Sequence, residues 1–278
     1  MSPSQFKILE DLEQTPRTVV SLVEEATTGR LFVFKRLRNP MPNPYELARL
    51  RQEFATIQKL NSPRIIQVVE WERLGEYYGI VMEYTGHGNL QKFLASGGKL
   101  EFSAQLQIAI ELAEALQEVH RQGIIHRDIN PRNILIDPET YHTKLIDFSI
   151  ASQIQFDGMG EESRDKAFEG SLAYMSPEQT GRMNRQVDQR SDLYSLGITL
   201  FELFTGSLPF VADDLLGYFH AHIAKKPPLA TALNPALPGM ADAIVQRLLA
   251  KNVEERYQSA AGLLADLSAP PKSKITPN

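Results

Sequence analysis

At 278 residues with 42% hydrophobic side chains, the chain can bury a full core as one domain or two closely packed lobes. Its net charge of -5 gives no support for a nucleic-acid binder working by broad phosphate neutralisation. The absence of cysteine excludes disulfides, thiolate metal sites and cysteine nucleophiles.

The start, Met-Ser-Pro-Ser-Gln-Phe, has neither the basic nor the apolar region of a secretory signal. Residues 6–37 read as paired strands: Thr18–Val23 and Arg30–Leu37 are rich in Val, Leu, Phe and Thr, with Thr27, Thr28 and Gly29 as the turn. Pro40, Pro42 and Pro44 then interrupt regular structure before a helix over about residues 45–60, whose Leu47, Leu50, Phe54 and Ile57 recur at three and four residues. Glu53 falls on nearly the same face, which for a glutamate calls for a partner. Strands at about 66–74 and 77–84 turn at Gly75.

After Gly86-His87-Gly88 the pattern becomes helical. Residues 103–120 carry an apolar stripe at Leu106, Ala109, Ile110, Ala113 and Leu116, and helices follow at about 176–180, 191–205, 213–224, 240–250 and 259–267. The apolar run Leu196–Phe204 is too short to span a bilayer, so the expectation is a soluble cytoplasmic domain with no membrane segment. Periodicity alone gives only an α+β pattern, mostly sheet over residues 1–85 and mostly helical over 86–268, followed by a polar, Pro- and Lys-rich tail at 269–278.

Two apolar runs carry chemistry between them. Ile124-Ile-His-Arg-Asp-Ile-Asn-Pro-Arg-Asn-Ile-Leu-Ile136 sets Asp128 and Asn133 on one connection, and Thr143-Lys-Leu-Ile-Asp-Phe-Ser149 ends at Asp147. Such groups can orient a hydroxyl and hold a divalent metal on a phosphate; the bland reading is that they are polar caps of tight loops. The pair resembles the H-R-D-x-x-x-x-N catalytic loop and the D-F-G metal loop of a eukaryotic-like protein kinase.

That resemblance extends over about residues 6–268 and implies a bilobal fold with a nucleotide in the cleft, residues 1–85 being the N-terminal lobe and 86–268 the C-terminal lobe of one domain. It makes Lys35, at the end of Leu31-Phe-Val-Phe-Lys35, the lysine on the α- and β-phosphates and Glu53 the helix glutamate that orients it. Asp128 becomes the base for the substrate hydroxyl, with Asn133 and Asp147 as ligands of Mg²⁺ (or Mn²⁺) bound with ATP. Val20, Val33, Met82 and Leu135 would surround the adenine, Met82 as gatekeeper, and the peptide groups of Glu83 to Thr85 would read its edge. Pro131 matches the serine/threonine class. Ser-Pro-Glu178 resembles the end of an activation segment, with Glu178 paired to Arg256 and Asp192 bonded to the catalytic-loop backbone. Ser163 is the favoured phosphorylation site.

Three departures from the family pattern stand out. The glycines of the phosphate-covering loop should fall at Glu13, Thr15 and Thr18, so fewer backbone N–H groups can approach the phosphates. Asn130 replaces the lysine that steadies the transferring phosphate; an amide donates but cannot neutralise. Ser149 replaces the glycine after Asp147-Phe148, tolerable if its backbone is not left-handed.

The stretch Tyr174-Met-Ser-Pro-Glu-Gln-Thr-Gly-Arg-Met-Asn-Arg185, with the catalytic loop and Tyr218–Ala224, is similar to the N-terminal kinase domain of cyanobacterial hybrid kinases. That group commonly lacks the glycines and carries the asparagine, and continues into an ATPase module, GAF sensors and a histidine kinase. Two functions stay open: ATP-dependent transfer to serine or threonine hydroxyls of a protein substrate, or a pseudokinase acting as a nucleotide-responsive regulatory or docking domain.

Overall fold

The structure, a computed structural model, describes residues 5–97, 100–153 and 172–269. The chain opens with a five-stranded antiparallel sheet: β1 (Phe6–Gln14), β2 (Thr18–Glu25), β3 (Leu31–Leu37), β4 (Val68–Leu74) and β5 (Tyr77–Glu83), in the order β1-β2-β3-β5-β4. The β4–β5 turn needs Gly75, whose φ of 62° costs a side-chain-bearing residue strain. Between β3 and β4 lies α1 (Pro44–Ile57). Asn43 and Glu46 exchange hydrogen bonds with each other's backbone N–H as a full capping box, and Pro44 takes the first helical turn, where its missing N–H is harmless. The helix expected over 45–60 therefore starts one residue earlier and stops at Ile57.

The sheet buries both faces. Phe6, Val23, Phe32, Phe34, Leu74 and Val81 make a small core of their own. On the other face Ile80 and Met82 join Leu50 and Ile57 of α1 in the main core, which runs on into the second lobe.

That lobe contains α2 (Leu90–Ala95), α3 (Phe102–Arg121), β6 (Ile124–Ile125), β7 (Ile134–Ile136), β8 (Thr143–Leu145), β9 (Ser152–Gln153), α4 (Gln189–Thr205), α5 (Leu215–Ala224), α6 (Ala230–Leu233), α7 (Gly239–Leu248) and α8 (Ala260–Leu267). The bilobal α+β architecture expected from the sequence is present. The small β6–β9 and β7–β8 ladders frame the candidate site. The segment after α1 joins the lobes, with Ile66 N–H donating to Leu145 O and Leu145 N–H to Arg64 O.

The α4 helix is apolar nearly all round and buried along most of its length, as a central helix must be. Gly197 lets it approach α7: a Cβ there would stand 2.7 Å from Leu248 Cβ. The helix expected at 176–180 is instead a single 3-10 turn, Glu178–Thr180, ended by Gly181 at φ 68°. Ser163 and residues 270–278 lie outside the described residues. Ser176, another serine of the same segment, is fully buried.

Glu178 and Arg256 form the expected ion pair, at 2.7 and 3.0 Å, with both side chains inaccessible. Ser191 Oγ also donates to Glu178, and Arg256 donates to the carbonyls of Ala250, Arg190 and Lys251. Burial works to raise the Glu178 carboxyl, but Arg256 and Ser191 hold it below its ordinary value. Arg256→Met is expected to lower unfolding stability by about 3–5 kcal/mol, since Glu178 is left buried without its charge partner. Urea titration measures it, and a loss under about 1 kcal/mol would contradict the account.

Candidate active site

The cleft is built from the sheet face that carries Lys35. Lys35 pairs with Val20 on one side and Ile80 on the other, while Val33 pairs with Leu22 and Met82. Directly opposed and alternate residues share a face, so Val20, Val33, Lys35 and Met82 line one surface. Glu13, opposite Val20, stands on that face too, and is exposed.

Lys35 Nζ lies 2.7 Å from Glu53 Oε1 and 2.8 Å from Asp147 Oδ1. Glu53 also accepts the backbone N–H of Phe148. Burial alone would push the Lys35 ammonium down, but Asp147 and Glu53 outweigh it and hold the lysine well above its usual range. Asp147 moves the opposite way: burial would raise it, and Lys35 with Ser149 holds it well below the ordinary carboxylate range. Burial raises Glu53 from its ordinary value even beside Lys35. The Asp147 side chain is 35% exposed against 3% for Glu53, so Asp147 is the carboxylate open to a ligand.

Asp128 is clamped by two amides. Asn130 Nδ2 donates to its Oδ1 at 2.8 Å and Asn133 Nδ2 to its Oδ2 at 2.8 Å, and both also bond its carbonyl. Asn130 Oδ1 caps the 3-10 turn Pro131–Asn133 through Arg132 N–H. Asn130 therefore spends its donor on the neighbouring aspartate, a use the sequence comparison with lysine did not suggest. Asn133 keeps its Oδ1 as an acceptor, and its carbonyl receives Ile146 N–H, which brings it alongside the Asp147 loop.

The loop geometry is imposed by Asp192 at the start of α4. Its carboxylate accepts the N–H groups of His126 and Arg127 at 2.8 Å each and meets His120 Nε2 at 2.9 Å. These bonds hold Arg127 at φ 70°; Asp147 takes a φ of 62°. Ser149, the substitute for glycine, is not in the left-handed region, so it costs the loop no strain. His126 packs edge-on to Phe148 with ring centres 4.6 Å apart. Gln179, to which the sequence assigned no partner, donates from Nε2 to Arg127 O at 2.8 Å and ties the Leu172–Thr180 segment to the loop.

At the rim, Glu83 accepts Lys144 Nζ at 2.7 Å and Gln67 N–H at 2.8 Å. Beyond it, Tyr84 and Thr85 leave the sheet. Leu135 is half-buried between buried Ile134 and Ile136, so its side chain takes the more open face of β7. Where glycines were missing, β1 and β2 close on a tight turn. Thr15 Oγ1 accepts Arg17 and Thr18 N–H, and Thr15 N–H donates to Thr18 O.

Among the described residues no group of three or more His, Cys, Asp or Glu is placed to hold a metal. The Asp147 carboxylate and the Asn133 amide oxygen are instead a sparse oxygen set. That set fits a hard divalent cation that takes its other ligands from phosphate and water.

The model of the protein kinase domain matches residues 14–266. The chain belongs to the protein kinase family. Within that family it is 36% identical over 249 residues to a probable serine/threonine-protein kinase of Streptomyces coelicolor, an alignment covering 87% of this chain and 36% of that protein. It is 35% identical over 253 residues to the serine/threonine-protein kinase PknB of Mycobacterium tuberculosis, covering 89% and 40%. To the serine/threonine-protein kinase PrkC of Bacillus subtilis it is 32% identical over 249 residues, covering 89% and 38%. The chain thus spans well under half the length of these curated relatives. These relatives are serine/threonine-protein kinases of bacteria.

If Lys35 meets phosphate, Lys35→Met will weaken ATP binding at least about tenfold and adenosine binding hardly at all, because a charge-assisted bond is lost only for the triphosphate. Calorimetric titration of both ligands checks this, and equal losses would show that Lys35 touches neither phosphate.

Proposed function

We propose that this domain transfers the γ-phosphate of ATP to serine or threonine hydroxyls of a protein substrate. The observation that carries the reading is the Asp128 carboxylate held by Asn130 and Asn133 next to the loop that presents Asp147 to Lys35. A pair of loop caps would need neither a buried lysine between two carboxylates nor an aspartate gripped at both oxygens. The serine/threonine-kinase names of the relatives point the same way.

In this reading Lys35 takes the α- and β-phosphates, and Glu53 keeps the ammonium in place once Asp147 turns to the metal. Asn133 and Asp147 hold Mg²⁺, with Mn²⁺ as a substitute, and the ion when bound neutralises phosphate charge. Asp128 accepts the hydrogen bond of the acceptor hydroxyl and takes its proton as the new bond forms. The two amides keep its carboxylate from rotating. Val20, Val33, Met82 and Leu135 enclose the base, and the peptides of Glu83 to Thr85 read its edge. The lobes divide at residue 85, with 86–268 as the second.

The catalytic-loop sequence and Tyr174–Arg185 further support a place among cyanobacterial-type hybrid kinases. On that reading ATPase, GAF and histidine-kinase modules are the domain's partners in a longer cytoplasmic protein. Among the described residues no helix is long and apolar enough to cross a membrane.

The test is transfer from labelled ATP with Mg²⁺ to a panel of serine- and threonine-containing proteins. Asp128→Asn is expected to lower turnover by roughly a hundredfold or more with ATP affinity nearly unchanged. Asp147→Asn is expected to weaken both turnover and Mg²⁺-dependent ATP binding, because a metal ligand goes. A parent protein that transfers nothing to any substrate sinks the enzyme reading and leaves the nucleotide-responsive docking domain.

A further inference from the structure

A second buried polar chain crosses the helical lobe, away from the nucleotide cleft. His222 of α5 is fully buried. It stacks on Tyr218 and stands edge-on to Tyr194 and Phe210. Its Nδ1 is 3.1 Å from the Tyr194 hydroxyl and its Nε2 is 2.9 Å from the carbonyl of Leu172. Lys251 Nζ in turn donates to the Tyr194 hydroxyl at 3.1 Å and to Ala221 O at 3.3 Å, with its charge 4.3 Å from the Phe210 ring centre.

The direction of this chain is set at its two ends. The lysine ammonium only donates and the carbonyl only accepts. Tyr194 therefore receives a hydrogen from Lys251 and gives its own to Nδ1, and Nε2 carries the hydrogen that Leu172 receives. An imidazolium would carry hydrogen on both nitrogens and take away the acceptor at Nδ1 that the Tyr194 hydrogen uses. Burial, the main cause, brings His222 down to about 4, so at neutral pH it has the form the chain requires. An aliphatic residue would fill the same aromatic cage, but would leave Leu172 O with only the long bond from Met175 N–H, at 3.5 Å.

Among the described residues, the segment from Leu172 is tied by Gln179 to Arg127 O, by Glu178 to Arg256 and by the Tyr174 hydroxyl to Glu202 of α4. His222 adds a fastening at Leu172 itself. If the site is a kinase, this segment lies beside Asp128, where an acceptor peptide must lie. We propose that His222, set by Tyr194 and Lys251, is a positioning residue for the acceptor peptide: it fixes the Leu172 end of the docking segment. Peptide affinity should then depend on it, and nucleotide affinity and the phosphoryl step should not. The proposal rests on the kinase reading.

The test compares His222→Leu, His222→Gln and Tyr194→Phe with the parent in the full chain, using a peptide that the parent phosphorylates. Two readouts are needed: steady-state constants, and amide hydrogen exchange over residues 172–180. His222→Leu is expected to raise the peptide KM about fivefold or more, with ATP KM and kcat within about twofold. Exchange over 172–180 should quicken while α3 and α7 keep their protection. His222→Gln can still donate to Leu172 O and should recover most of the KM; Tyr194→Phe should fall between. An unchanged peptide KM overturns the proposal, as does an ATP KM that rises in step with it, or a His222→Gln as impaired as His222→Leu. If His222→Leu does not fold, Tyr194→Phe and His222→Gln carry the comparison: a peptide-KM effect in Tyr194→Phe alone supports the chain, and none overturns it. A parent without transfer activity defeats the kinase reading instead, and exchange alone then decides whether His222 fixes the segment.

Discussion

A lysine ammonium buried beside two carboxylates is the constraint on which the cleft depends. An isolated charge in that position would cost several kcal/mol, so Lys35 can be buried only if partners arrive from elsewhere in the chain. Glu53 arrives from α1, which must then lie against the sheet with one glutamate turned inward. Asp147 arrives from the end of β8, which the Ile66–Leu145 and Arg64–Leu145 bonds hold against the first lobe. One ion triad therefore ties together a strand, a helix and a loop separated by up to 112 residues. Its less buried member, Asp147, is the carboxylate proposed to exchange the lysine for a metal ion.

The second lobe uses α4 in the same way. Its hydrophobic girth makes it the core of the lobe, yet several of its polar groups hold a loop. Asp192 fixes the backbone at His126 and Arg127, Ser191 helps to orient Glu178, and Tyr194 orients His222. Buried polar groups of this kind must be satisfied, and each can be satisfied in one arrangement only. A helix that is rigid because it is buried thus passes its rigidity to the catalytic loop and to the segment at Leu172–Thr180. The left-handed backbone at Arg127 is held by bonds on both sides of the residue: its N–H by Asp192, its carbonyl by Gln179.

Much of this was legible in the sequence, for a physical reason. Residues whose chemistry conflicts with their surroundings announce themselves: Glu53 on an apolar helix face, or Asp128, Asn133 and Asp147 between apolar runs. The Glu178–Arg256 pair and the bond from Asp192 to the loop backbone came from the family pattern and are present in the fold. What stayed hidden were partners of ordinary composition. Gln179 lies in the Tyr174–Arg185 motif but nothing in it assigns the bond to Arg127 O, and His120 and His222 look like any histidine on a helix face. The apolar runs around the catalytic stretch read as short strands and form β6, β7 and β8, but β9 and the one-turn α6 fall below the length at which periodicity speaks. Asn130 was read as a weakened lysine, whereas its amide makes half of the clamp on Asp128. A comparison of residue types cannot show where a donor points.

The missing glycines and the missing lysine have one electrostatic consequence in common. A glycine loop offers free backbone N–H groups to phosphate. Here the turn's amides are already taken, at Thr15 by a carbonyl and at Arg17 and Thr18 by a hydroxyl. Lys35 faces Glu53 and Asp147, with Asp128 on the neighbouring loop and Glu13 on the same sheet face. On the proposed reading, a triphosphate entering alone would find the Lys35 charge already engaged by two carboxylates. With a divalent cation held by Asp147 and Asn133, as proposed, Lys35 would be free to turn from Asp147 to the phosphates. On the same reading, the occupied amides of the turn move the work of holding the nucleotide from the first lobe to the metal loop, while Asn130 gives up a charge beside Asp128 and makes half of the clamp on its carboxylate.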